Sequence, residues 1–94
     1  MKVEVKFFTS LREITDKKVD EVQVQDTITV EGLLTQLSEK YGREFMEYLY
    51  NEKGKVHRYL SILVNGKSVN ILQGLNTELK EGDTVAILPP VGGG

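Results

Sequence analysis

The sequence predicts an α+β domain in which a mixed sheet of about five strands packs on one main helix. Three observations predict it. Apolar and polar residues alternate near both ends of the 94-residue chain, the period-2 signature of a strand with one buried face. Between them lies a stretch with an apolar stripe at helical spacing. An Asn-Gly pair follows one of the apolar runs, the strongest short hairpin signal. The length suits one small domain, which buries only about 60–65% of its unfolded surface. Such a domain holds one core and no deep catalytic cavity.

At the start, Val3, Val5 and Phe7 alternate with Lys2, Glu4 and Lys6 and form the first strand. Ser10-Leu11-Arg12-Glu13-Ile14 is expected to make a short helical turn. A second strand is expected over Val19–Val24, with Val22 and Val24 inward. Thr29 is a fitting N-cap, and Glu31 puts a negative charge in the first helical turn. Val30, Leu33, Leu34, Leu37 and Tyr41 then share one helical face. Gly32 weakens that first turn. Gly42 sits where a left-handed terminating residue is wanted. Phe45 and Leu49, four apart, suggest a second short helix within 43–50. Leu60, Ile62 and Val64 alternate up to Asn65-Gly66, and a returning strand is expected over Lys67–Ile71. Glu81-Gly82-Asp83 is a turn, Thr84–Leu88 the last strand, and Pro89-Pro90 ends it. The order strand, strand, helix, strand, strand, strand suits a β-grasp.

Composition narrows the chemistry. Hydrophobic residues make up 39%, charged residues 28%, and the net charge is −2. Nothing here forms the basic stripe of a nucleic-acid binder. No apolar run approaches the ~20 residues of a membrane span, and the first residues lack a signal peptide's apolar stretch, so a cytoplasmic location is expected. There is no cysteine and a single histidine, His57. Neither a metal site nor a nucleophilic triad is expected.

The domain is expected to span 1–88 and to carry a flexible tail over 89–94. Pro89 and Pro90 favour a stiff, extended geometry. Val91 follows, and then Gly92, Gly93 and Gly94, which carry no side chains. A stiff spacer with a bare end can enter a narrow slot, and a terminal glycine offers an unhindered carboxylate. Glycine-rich ends are also often merely frayed or left over from cloning. The residues around the tail weigh against that plain reading.

From Gly82 to Gly94 the chain reads G-D-T-V-A-I-L-P-P-V-G-G-G. This resembles the MoaD/ThiS sulfur-carrier family, which includes the small subunit of molybdopterin synthase and ends in G-D-x-V-A-x-x-P-P-V-x-G-G. Gly82, Asp83, Val85, Ala86, Pro89, Pro90, Val91, Gly93 and Gly94 match. Phe7-Phe8 with Leu11-Arg12-Glu13 resembles the family's first strand and turn, and Val64-Asn65-Gly66 its central hairpin. The stretch 43–59 is longer than in the smallest carriers and is similar to extended archaeal forms, some of which also modify proteins.

The resemblance implies a ubiquitin-like β-grasp fold and a chemistry centred on Gly94. An adenylating enzyme similar to the ubiquitin-activating class would use ATP to activate the Gly94 carboxylate. A sulfur donor would then displace AMP and leave a thiocarboxylate. The large subunit of molybdopterin synthase would take the tail and use that sulfur for the molybdenum or tungsten cofactor. The chain itself would hold no permanent cofactor and no general acid or base. Alternatives are a protein modifier joined through Gly94 to lysines of target proteins, and a non-catalytic interaction domain.

Strand alternation adds a surface. With Val3, Val5 and Phe7 inside, Phe8 points outward. By the same parity so do Leu63, Ala86 and Leu88. If their strands are neighbours, these four form one exposed apolar patch beside the tail, suited to a partner, although single exposed apolar residues are ordinary. The remaining candidates carry plainer expectations. His57 should be a solvated surface residue, and Arg12 and Glu13 a local ion pair. Tyr41, Phe45, Tyr48 and Tyr50 should be helix packing, and Lys53, Lys55 and Arg58 a solvated loop.

Overall fold

A computed structural model describes residues 1–90. The chain runs through β1 (Lys2–Phe7), α1 (Thr9–Thr15), β2 (Val19–Gln23), α2 (Val30–Tyr41) and α3 (Arg43–Leu49). It continues through β3 (Ser61–Val64), β4 (Lys67–Ser68), two short 3-10 turns and β5 (Thr84–Leu88). The five strands lie in the order β2-β1-β5-β3-β4. β5 runs parallel to β1 and antiparallel to β3. The last strand of the sequence is therefore the middle strand of the sheet.

The core lies where the alternation puts it. Val3, Val5, Phe7, Val22, Ile62, Val64, Val85 and Ile87 are buried on one sheet face. Val30, Leu33, Leu34 and Leu37 of α2 and Phe45 and Leu49 of α3 are buried in the same cluster. Phe7 meets Tyr41 and Phe45 edge-on, with ring centroids 5.7 and 6.0 Å away, a favourable aromatic geometry. The four aromatic residues expected as helix packing behave so. Phe45 is buried, and Tyr41, Tyr48 and Tyr50 pack at the core's edge.

α2 starts as its sequence dictates. The Gly32 N–H donates to Thr29 Oγ1 at 3.2 Å, satisfying one of the orphan donors of the first turn. Gly32 is less a weakness than a fit. A Cβ there would stand 2.9 Å from Ile28 Cγ1, so the preceding loop closes over a glycine. Gly42 has φ +92° and ψ −161°, a positive φ but not the left-handed helical conformation expected. α3 begins at the next residue, so Gly42 is a joint between two helices, and its N–H donates to the Ser38 carbonyl.

The returning strand expected over Lys67–Ile71 is only two residues long. Val69–Ile71 is a 3-10 turn instead, capped by the Ser68 hydroxyl accepting from the Asn70 N–H at 3.1 Å. A serine that can cap offers the backbone an alternative to the ladder, and Val69 is buried by that turn.

Candidate functional site

The tail leaves the sheet at its centre. Val85 and Ile87 anchor β5 in the core, with Val85 paired to Val5 and Ile87 to Phe7 on one side, and to Val64 and Ile62 on the other. β5 ends at Leu88, Pro89 is half-buried and Pro90 exposed. The tail root thus lies where β1 finishes and β3 begins. Val91, Gly92, Gly93 and Gly94 lie outside the described residues.

At the other end of β5 the Asn65-Gly66 and Gly82-Asp83 motifs prove to be one structure. Asn65 and Gly66 both have positive φ, +51° and +84°, as a two-residue hairpin turn requires. Asn65 Nδ2 donates to Asp83 Oδ1 at 2.9 Å, and the Thr84 N–H donates to Asn65 Oδ1 at 2.9 Å. Asp83 Oδ2 accepts from the Lys80 N–H at 2.8 Å. Gly82, at φ +82°, donates its N–H to the Lys2 carbonyl. This polar clamp joins the starts of β1 and β5 to the hairpin after β3. It sets the register that carries through to the tail.

The predicted patch residues are brought together in part. Leu63 and Ala86 are direct register partners, and Ala86 also pairs with Lys6. Leu88 pairs with Ser61 and lies two residues along from Ala86 on the same face. Phe8 follows the last β1–β5 pair, Phe7 with Ile87, and serves as the extended cap residue of α1. All four side chains are half-buried, so the surface is a shallow apolar face bordered by Lys6, not a set of protruding side chains.

Other expectations need correction. His57 is half-buried and stacked on Tyr59, with centroids 4.6 Å apart and rings within 17°. It is not a freely solvated side chain. Among the described residues no ion pair joins Arg12 to Glu13. Asp20 was not singled out in the sequence, yet it is 5% exposed at an inward position of β2. It accepts from Lys40 Nζ at 2.8 Å and from the Tyr41 hydroxyl at 2.5 Å, and Lys17 lies 3.4 Å away. Burial by itself raises a carboxyl pKa. Here the bonds from Lys40 and Tyr41 and the charges of Lys40 and Lys17 outweigh burial and hold Asp20 below the usual range. Burial, and then the Asp20 carboxylate, push the Tyr41 hydroxyl well above its ordinary value. A charge at inward parity between Lys18 and Val22 was the available signal. No group of three or more His, Cys, Asp or Glu among the described residues is placed to hold a metal, and no helix there is long and apolar enough to cross a membrane.

The model of the ThiS family matches residues 5–94. The chain belongs to the ThiS family. Among curated family relatives, small archaeal modifier protein 3 of Haloferax volcanii is 35% identical over the full length of both chains. The molybdopterin synthase sulfur carrier subunit of Mycobacterium tuberculosis is 32% identical over 100% of this chain and 99% of its own. Among solved structures, SAMP1 of Haloferax volcanii superposes with a TM-score of 0.87 over 100% of both chains, at 26% identity. The fold is the ubiquitin-like β-grasp, and the family is one of sulfur carriers and ubiquitin-like modifiers.

Proposed function

We propose that this chain is a sulfur carrier that works through the carboxylate of Gly94. The observation that carries the reading is the family match through residue 94, joined to a tail root on the central strand of the sheet. A carboxylate oxygen of Gly94 attacks the α-phosphorus of ATP on an adenylating partner, and pyrophosphate leaves. A hydrosulfide-level donor then attacks the acyl carbon, and AMP departs with the oxygen it gained. One carboxylate oxygen has been replaced by sulfur, with no change in oxidation state. ATP is consumed by the partner and is no cofactor of this chain. The half-buried apolar face of Phe8, Leu63, Ala86 and Leu88 is the docking surface for that partner. The sulfur is then delivered, by the same tail, to the large subunit of molybdopterin synthase.

A second reading has one specific support, the 35% identity to a relative named as a small archaeal modifier protein. In it the same adenylate is passed on to lysines of target proteins. Both share the first step. Incubation with the adenylating enzyme, ATP and sulfide, followed by intact-mass measurement, tests the carrier reading. The expected result is a gain equal to exchanging one oxygen for sulfur, confined to the C-terminal peptide. High-mass conjugates without thiocarboxylate would favour the modifier. Neither product would leave an interaction domain with an inert tail.

A further inference from the structure

The segment between α3 and β3 brings an aromatic group to the tail root. Tyr59 is 52% exposed, one of few large apolar residues so exposed among those described. It lies two residues before Ser61, which pairs with Leu88, the residue before Pro89. Its ring stacks on His57. Phe8 and Thr9 lie at the opposite flank of the tail root, since Phe7 pairs with Ile87. Pro89 and Pro90 therefore depart between Phe8-Thr9 on one side and the Tyr59 turn on the other.

The Tyr59 turn is held in place by backbone bonds. The His57 N–H donates to the Leu49 carbonyl at the end of α3, and the Leu60 N–H donates to the His57 carbonyl. Val56 bridges to Tyr50. An exposed aromatic ring already fixed in this way loses little freedom when covered, and tyrosines of this kind dominate binding energy at interfaces.

The length of the tail says what covers it. Four residues, 91–94, separate Pro90 from the reacting carboxylate, and a fully extended chain of four spans at most about 14 Å. A standard interface takes about 800 Å² per partner, a disc of roughly 16 Å radius. An enzyme that closes on Gly94 with such an interface therefore lies over the ground beside Pro90. We infer that Tyr59, stacked on His57, is a second contact for the adenylating enzyme, in addition to the Leu63–Ala86–Leu88 face. The inference rests on the carrier reading. It gives part of the longer 43–59 stretch a role, as the arm that carries this ring to the tail.

The test is ATP–pyrophosphate exchange driven by the full chain, using the adenylating enzyme encoded in the same genome. Variants are Tyr59→Ala, Tyr59→Phe and, at the far end of the sheet, Lys67→Ala, each with its thermal midpoint. The expected result is a KM at least ~10-fold higher for Tyr59→Ala with kcat within about twofold, which is one hot-spot contact. Tyr59→Phe keeps the ring and should match the wild type, as should Lys67→Ala. An unchanged KM for a folded Tyr59→Ala, or an equal rise for Lys67→Ala, overturns the inference while leaving the carrier reading in place. A wild-type chain that drives no exchange overturns both. Should Tyr59→Ala melt early, Tyr59→Phe and Tyr59→Lys at a temperature where both are folded give the same decision.

Discussion

The two ends of β5 are built from opposite materials. At its start, Gly82, Asp83 and Asn65 join three segments through charged and amide hydrogen bonds. At its finish, Leu88, Pro89, Phe8 and Tyr59 offer apolar and aromatic surface. The first end fixes geometry, because each bond there has a direction and a partner. The second end is suited to being covered, because apolar contact gains free energy from any well-shaped partner. A carrier has reason to separate these tasks. In the proposed carrier role the tail is presented identically each time, while the surface around it engages the partner.

The largest expected effect lies beyond the apolar end. Deleting Gly93 and Gly94 should abolish thiocarboxylate formation completely and leave the thermal midpoint unchanged, as intact mass and calorimetry would show. A lowered midpoint would mean that the tail also supports the fold, against the division drawn above. Next comes Leu63→Asp, which places a charge opposite Ala86. Affinity for the adenylating partner should fall about 10-fold or more, with the circular dichroism spectrum preserved. Unchanged affinity in a folded variant would remove this face from the docking surface.

Polar anchors should respond in stability instead. Asp20→Asn should lower stability by about 1–3 kcal/mol at pH 7 without touching the adenylation KM. Its pH dependence has a definite sign. The Asp20 pKa is lowered in the fold, so its contribution is fully present above the unfolded value near ~4. It is lost as pH falls through the lower folded value. Wild type and variant should therefore converge in an acid titration of the thermal midpoint, and a gap that persists at the acid end would refute this account. Asp83→Ala should cost about 1 kcal/mol, measured by denaturant midpoint, since its partners are exposed. The smallest change is Gly32→Ala. Gains of up to about 1 kcal/mol in helix propensity meet the 2.9 Å approach to Ile28 Cγ1, and the net should lie near zero.

Much of this was legible in the residues alone. The alternation of Val3, Val5 and Phe7, the stripe from Val30 to Tyr41 and the Asn65-Gly66 turn each depend on neighbours a few residues away. Periodicity reports such local preferences directly, so elements and core were readable. The tail motif was readable for the same reason, being a continuous string. The outer parity of Leu63, Ala86 and Leu88 also followed from alternation.

What tertiary structure alone decided was which distant residues meet. Asp20 reaches Lys40 and Tyr41 across 20 and 21 positions, and Asn65 reaches Asp83 across 18. The pairing of Leu63 with Ala86, and the gathering of Phe8, Tyr59 and Pro89 around one exit, depend on β5 entering between β1 and β3. Spacing along the chain carries no record of such meetings. They arise when burial of the apolar faces brings the strands together, and only then does each polar or aromatic side chain acquire its partner.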